Sequence, residues 1–118
     1  MSARKTVIAF LAIVLLVITI GMLQAKDDKM DGKTLYRTHC KSCHGPDSDN
    51  GEYTPMTLIQ DQWDRFFDKK YVPAHQNVTD PHFGNKKVID VISPEMLKEI
   101  RKFCVDHAAD SEHPMTCG

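Results

Sequence analysis

Two cysteines and a histidine form the most informative motif of the chain, Cys40-Lys41-Ser42-Cys43-His44. In an exported protein this C-x-x-C-H spacing indicates covalent attachment of a c-type haem. Two thiols three positions apart at a helix end can each form a thioether to one edge of the porphyrin, and the next residue then holds its imidazole under the iron. The motif predicts Cys40 and Cys43 as attachment residues and His44 as the proximal iron ligand.

Three other kinds of site use two closely spaced cysteines: a thioredoxin-like dithiol, a structural disulfide and half of a zinc site. A dithiol catalyst is expected within a βαβ pattern, and the sequence shows no such pattern. A zinc site needs a second pair of ligands near the first. The motif therefore favours haem over these alternatives.

The N-terminus predicts that the chain is exported. Arg4 and Lys5 precede an almost wholly apolar run of about 17 residues, between the roughly 7–15 of a signal-peptide core and the about 20 that span a bilayer. Residues 1–25 are thus predicted to be a signal peptide cleaved near Ala25 or an N-terminal membrane anchor, with residues 6–23 as the tether; a buried core helix is the remaining alternative. In both cases the positive-inside rule leaves the remainder periplasmic or otherwise extracytoplasmic, soluble or held at the inner membrane.

Residues 26–118 are enough for one small domain with a single core. This part carries 13 basic and 16 acidic residues, a net charge of −3 with histidine neutral. Nucleic-acid binding requires a clustered basic patch, so the net negative charge argues against a nucleic-acid partner.

Apolar spacing and capping residues predict about three helices and no convincing strand. The first helix begins after Asp31, an N-cap residue. The second begins in the Thr57–Gln60 segment, which fits a capping box, and continues to about Lys69. The last spans about 94–108, with Ser93 as N-cap and Pro94 at the first helical position, and precedes a tail of residues 109–118. Residues 45–55 and 70–92 are predicted loops.

The segment from Gly32 to Tyr36, followed by Cys40 to Gly45, resembles the opening of the small monohaem cytochromes c of class I, the mitochondrial-type fold. The resemblance covers about residues 31–107. It implies an all-α fold of about three helices wrapped around one covalent haem, here preceded by an N-terminal apolar segment. It also implies that Gly32 and Tyr36 pack against Ile100 and Phe103 of the last helix.

The same resemblance assigns roles to two further residues near the haem. Pro55 stands where the family often has a proline whose carbonyl accepts a hydrogen bond from the proximal histidine, which fixes the ring. Trp63 resembles the aromatic residue that lines the pocket or reaches a propionate, and an ordinary core tryptophan is the alternative.

The distal ligand is where the chain departs from the family pattern. Family members usually supply a methionine from the loop before the last helix, but no methionine occurs between Thr57 and Glu95. The loop contains His75 and His82 instead, which predicts bis-histidine ligation, with His82 slightly favoured by its position. The remaining alternatives are Met56, Met115 or an open sixth position.

Cys104 and Cys117 remain after the haem motif is assigned. Outside the cytoplasm two spare thiols most often pair. A Cys104–Cys117 disulfide would close a loop of about 12 residues and contribute up to about 3 kcal/mol. The alternatives are a zinc site that adds His107 and His113, free thiols, and pairing with a cysteine of another molecule.

Together these features predict an electron carrier rather than an enzyme. The alternative is a haem protein that binds or senses a small ligand at an open or displaceable sixth position. The resemblance implies redox proteins as partners, and the acidic domain favours partners with a basic docking patch.

Overall fold

The computed structural model describes Arg4, Val7, Ile8 and residues 31–116. The predicted signal peptide or anchor, residues 1–25, otherwise lies outside this part of the chain. No helix in the described part combines the length and apolar character needed to cross a membrane.

The described domain is built almost entirely from short helical elements, which confirms the all-α prediction. The first helical run (32–44) joins two α-helices through a π-helical turn, and the second helical run (60–75) has the same construction. Two 3₁₀ turns, a small ribbon and two further helices complete the fold. The elements are α1 (Gly32–Leu35), a π turn (Tyr36–Cys40), α2 (Lys41–His44), a 3₁₀ turn (Pro55–Thr57), α3 (Gln60–Arg65), a π turn (Phe66–Lys70), α4 (Tyr71–His75), β1 (Thr79–Asp80), a 3₁₀ turn (Pro81–Phe83), β2 (Lys86–Lys87), α5 (Val88–Val91) and α6 (Pro94–Asp106).

The N-terminal and C-terminal helices cross at close range. Asp31 caps α1 by accepting from the backbone N–H of Thr34 at 3.1 Å, and Ser93 caps α6 by accepting from that of Met96 at 3.2 Å. A Cβ atom on Gly32 would lie 2.3 Å from the carbonyl oxygen of Glu99 and 2.9 Å from Cβ of Phe103. Only glycine therefore permits this backbone approach.

Aromatic packing reinforces the crossing, as the resemblance implied. The ring centres of Tyr36 and Phe103 are 5.5 Å apart, and the Ile100 side chain in the same core cluster is fully buried. The predicted contact of Gly32 and Tyr36 with the last helix is confirmed. That helix ends at Asp106, two residues before the predicted end, because His107 leaves helical geometry.

The second helical run is longer than predicted. The sequence predicted a loop from residue 70, whereas the structure continues the helix to His75 through the π turn. Pro73 lacks an N–H, and its ring would clash with the carbonyl four residues earlier in a regular α-helix. The π turn, closed by Tyr71 N–H donating to the Phe66 carbonyl, provides room for it.

Two other local predictions need correction. Thr57 does not cap the second run: its hydroxyl accepts from Thr54 N–H at 2.9 Å and so closes the preceding 3₁₀ turn. The second run is capped by Gln62, which accepts from Ile59 N–H at 3.1 Å. Residues 79–92 also contain an antiparallel pairing of β1 with β2 and the helix α5 where a loop was predicted.

Candidate haem site

A large cavity lies between the first helical run, the second helical run and residues 78–92. Its volume is about 1210 Å³, more than the roughly 300–1,000 Å³ of ordinary small-molecule sites. The residues Cys40, Cys43, His44, Trp63, His75 and His82 all line it. The structure thus brings together most of the residues that the sequence assigned to haem binding.

His44, the last residue of α2, is held by a loop carbonyl. Its Nδ1–H donates to the Gly51 carbonyl oxygen at 3.0 Å, and its ring meets the Tyr53 ring edge-on with centres 5.1 Å apart. Gly51 has a φ of 86°, a left-handed conformation that favours glycine and sets the direction of this carbonyl. The bond fixes the tautomer, so the lone pair of His44 is on Nε2.

The carbonyl implied for this bond was that of Pro55, and here the structure differs from the resemblance. The Pro55 carbonyl instead accepts from the indole Nε1–H of Trp63 at 2.8 Å. Trp63 is buried, with 5% of its surface exposed, and its ring lines the cavity. Because the only ring N–H of Trp63 donates to Pro55, it is not free to reach a propionate. Of the two predicted roles, lining the pocket is the one that fits Trp63. Direct contact of either residue with haem stays a prediction.

The cysteines of the motif lie at the wall of the cavity. Burial raises the pKa of the Cys40 thiol to about 12. Dithiol catalysts require the opposite, a lowered thiol pKa that provides a reactive thiolate at neutral pH. The environment of Cys40 therefore disfavours the dithiol alternative and suits a thiol that serves as an attachment point.

His75 ends the second helical run and lines the same cavity as His44. The two ring centres are 6.2 Å apart and the ring planes are nearly perpendicular, at 85°. The Nδ1–H of His75 donates to the Tyr71 carbonyl oxygen at 2.7 Å, and the Tyr71 ring packs on the imidazole with centres 4.9 Å apart.

An aromatic series leads along the second run to His75. Trp63, Phe67, Tyr71 and His75 follow at steps of four residues, with successive ring centres 5.8, 6.2 and 4.9 Å apart. In a straight α-helix, steps of four drift by about 40° each around the axis. The π turn contains an extra residue per turn and so compensates for this rotation. As a result, Tyr71 and His75 still line the cavity. The four-residue spacing is the sequence signal that could have revealed this run.

His82 has different surroundings. Its Nδ1 lies 3.0 Å from Oδ1 of Asp80, a carboxylate that is buried and also accepts from the His82 backbone N–H at 2.9 Å. The His82 side chain is 55% exposed. Ligand atoms of Cys43, Asp80 and His82 lie within 4.8 Å of one another, so His82 is next to a cysteine of the motif.

The remaining sequence candidates lie away from the cavity or only partly within the described residues. Met56 is 40% exposed, Met115 packs on the core cluster, and neither belongs to the cavity wall. Cys104 is buried and lines the cavity, and burial raises the pKa of its thiol. Cys117 lies outside the described residues, so the Cys104–Cys117 disulfide stays a prediction. The tail returns towards α6, with Met115 N–H donating to the His107 carbonyl at 3.2 Å.

The cavity wall fits a haem in chemical terms. It combines aromatic and aliphatic surface with two thiols and imidazoles, as a covalent haem requires. Two lining residues also carry buried polar atoms without a hydrogen-bond partner in the described part of the chain, His39 Nδ1 and Tyr71 Oη. Buried polar groups normally have partners, and a ligand with carboxylates can supply them. The sequence prediction had included neither residue.

The comparison with curated proteins includes matches of low identity. An ATP-dependent Clp protease adapter protein ClpS of Enterobacter sp. is 26% identical over 68 residues, and those of Salmonella arizonae and Escherichia fergusonii are each 28% identical over 68 residues. Each match covers 58% of this chain and 64% of the relative, so the chain spans less than two thirds of their length. This identity does not establish a shared family. No solved structure matches the chain at comparable stringency.

The comparison with protein families gives a match that covers most of the chain. The model described as Cytochrome c matches residues 30–116, which include the C-x-x-C-H motif, the whole cavity wall and α6. Members of that family are electron-transfer haem proteins that bind haem c covalently through cysteines, and Cys40 and Cys43 are the cysteines in the matching motif. The motif, the cavity and this match lead to one conclusion: the chain belongs to the cytochrome c family.

Proposed function

We propose that the protein is an exported monohaem electron carrier whose iron is held on both sides by histidine. One observation carries the proposal: the cavity that contains the C-x-x-C-H motif is also lined by His75, at the end of the second run, and by His82, in the segment that follows it. A haem with both axial positions filled by protein is suited to electron transfer, because no site is open for substrate.

When bound, haem c supplies a one-electron couple between ferric and ferrous iron. The chain supplies the surroundings of that couple. Cys40 and Cys43 provide the thiols for two thioethers, and the Gly51 carbonyl holds His44 in the tautomer with a free Nε2. The aromatic rings of the second run provide an apolar wall that excludes water. Imidazole on both sides gives a lower reduction potential than an imidazole and a thioether would.

The absorption spectrum of the purified protein tests this proposal. A low-spin, six-coordinate haem that does not bind carbon monoxide in the reduced state is expected. A high-spin haem that binds carbon monoxide rapidly would contradict the carrier and favour a ligand-binding or sensing protein. Cys40→Ala and Cys43→Ala should impair covalent attachment, and Lys41→Ala, within the same motif, is the matched control that should not.

The proposed location and partners follow from the N-terminus and the charge. Cytochrome c domains are typically extracytoplasmic, which supports export through residues 1–25, either cleaved near Ala25 or kept as a membrane tether through residues 6–23. The net charge of −3 after residue 25 supports redox partners with a basic docking patch. The rate of electron exchange with a basic redox protein should fall as salt increases, whereas a rate that rises with salt would contradict this docking mode.

A further inference from the structure

We infer that His75, and not His82, is the distal iron ligand, an inference that rests on the proposed bis-histidine carrier. The sequence alone slightly favoured His82 because of its position before the last helix. Three observations on the structure reverse that order: the separation of the His44 and His75 rings, the packing that holds the His75 ring, and the place of each residue on the cavity wall.

The separation of His44 and His75 matches two imidazoles that share one metal ion. Since a metal–imidazole bond is about 2 Å and a ring centre lies about 1 Å behind its nitrogen, two imidazoles on opposite sides of one metal have centres about 6 Å apart. The centres of His44 and His75 are 6.2 Å apart. The two rings already have the spacing that a shared iron requires.

The hydrogen bonds of the two rings are equivalent. Each histidine donates Nδ1–H to a backbone carbonyl, His44 to Gly51 at 3.0 Å and His75 to Tyr71 at 2.7 Å. Each therefore keeps the lone pair on Nε2. Metal-binding histidines almost always have this arrangement, in which the second nitrogen is held by a carbonyl or carboxylate.

The second helical run holds the His75 ring in place. Tyr71 contacts it twice, through its carbonyl at 2.7 Å and through its ring. Tyr71 is itself buried and packs on Phe67. A ring fixed by one hydrogen bond and one packed face loses little conformational entropy when it binds a metal. Tyr71 is thus a positioning residue for His75.

His82 shares the hydrogen bond but not the packing. Its Nδ1 is paired with the Asp80 carboxylate, which also leaves Nε2 free, but more than half of its side chain is exposed. It also lies beside Cys43, with ligand atoms within 4.8 Å. A thioether joins the porphyrin at its edge, while the iron is at its centre. A side chain next to the Cys43 sulfur would therefore lie at the rim of a bound haem and not over the iron.

The test compares His75→Ala with His82→Ala, made in the full exported protein with haem attached. His75→Ala should lose the low-spin spectrum and gain carbon monoxide binding in the reduced state, and added imidazole should restore the low-spin form. His82→Ala should keep the wild-type spectrum and should not bind carbon monoxide. If His75→Ala does not accumulate, His75→Met replaces it, and a higher reduction potential with six-coordinate haem is then expected.

The outcomes separate this inference from the proposed function. A wild-type protein that is high-spin, or that carries no covalent haem, would refute the carrier itself. A low-spin wild type with a high-spin His82→Ala variant would leave the carrier intact and overturn the assignment of His75. Low-spin spectra in both alanine variants would also overturn it and would direct attention to the methionines.

Discussion

Two regions of this small domain are organised on different principles: the crossing of α1 with α6, and the second helical run. At the crossing, backbone meets backbone, and a Cβ on Gly32 would lie 2.3 Å from the Glu99 carbonyl oxygen. In the second run, the aromatic series turns towards a cavity, and Tyr71 Oη is buried there without a partner among the described residues. The first region closes on protein atoms where Gly32 meets Glu99 and Phe103, although Leu97 and Cys104 of α6 border the cavity, whereas the second region requires a cofactor to complete its packing.

This difference predicts how the two regions depend on haem. The cavity of about 1210 Å³ leaves one face of the second run's aromatic side chains without protein against it. The cofactor therefore acts as core material for the second run, and its binding stabilises only the folded state. The contact of Gly32 with Glu99 and Phe103 has no such requirement, because none of these three residues lines the cavity.

The largest effect is expected from removal of haem. In a Cys40→Ala/Cys43→Ala variant, amides of residues 60–75 should exchange hydrogen at rates near those of an unfolded chain, because their cavity face is uncovered. Amides of α6 should keep more of their protection. Hydrogen exchange by mass spectrometry of this variant and the wild type measures both segments at once. Equal loss of protection in the two segments would refute the distinction between them.

The next largest effect is expected at the crossing, from Gly32→Ala. The added Cβ meets backbone that has little freedom to move, and overpacking of this kind costs about 3 kcal/mol of the free energy of unfolding. Denaturant unfolding of the haem-bound protein measures the loss. Lys33→Ala, at the exposed neighbouring position, is the control and should change stability by less than about 0.5 kcal/mol. Similar values for the two variants would mean that α1 and α6 can separate without cost.

The same two regions show what the sequence could predict. At the crossing, the two N-caps depend only on neighbouring residues, and both Asp31 and Ser93 were predicted correctly. The packing of Tyr36 on Phe103 was implied by the family resemblance and is also correct. In the second run, the π turn depends on Pro73 and on packing against the cavity, neither of which the 3.6-residue period describes. The run was therefore predicted to end near Lys69 instead of at His75.

The residues of the haem site also differ in whether the sequence alone can predict their roles. The attachment residues and His44 follow from the motif, because its chemistry requires that spacing. The carbonyl partner of His44 does not, since a loop conformation at Gly51 selects it over Pro55. The choice between His75 and His82 also depended on the surroundings of each ring, which the sequence spacing does not contain.

A smaller effect is expected where the second run meets the loop after the motif, from Trp63→Phe. The substitution keeps an aromatic ring but removes the N–H that donates to the Pro55 carbonyl at 2.8 Å. Pro55 is almost fully buried, so its carbonyl loses its side-chain partner away from water. A loss of about 1–2 kcal/mol in unfolding free energy is expected. An unchanged free energy of unfolding would mean that water replaces the indole as the partner of the Pro55 carbonyl. The Trp63–Pro55 contact would then not stabilise the connection between the two regions.

The smallest effect is expected at the surface, where Arg101 of α6 connects the two regions electrostatically. Its guanidinium donates to Asp64 at 2.8 Å and to Asp68 at 2.6 Å, both in the second run. The hydrogen bond from Arg101 holds the pKa of the Asp68 carboxyl below its ordinary value of 3.8. Because these carboxylate side chains are about half exposed, the contribution to stability should be small and should weaken with salt.

The sign of the pH dependence follows from that lowered pKa. A carboxyl whose pKa is lower in the folded state stabilises the fold above its unfolded pKa, and this contribution disappears as pH falls through the folded value. The melting temperature of Arg101→Gln should therefore lie below that of the wild type at pH 7, and the gap should close as pH falls below about 3.8. A gap that persists at pH 2 would show that Arg101 joins α6 to the second run by packing of its aliphatic stem, and not by charge.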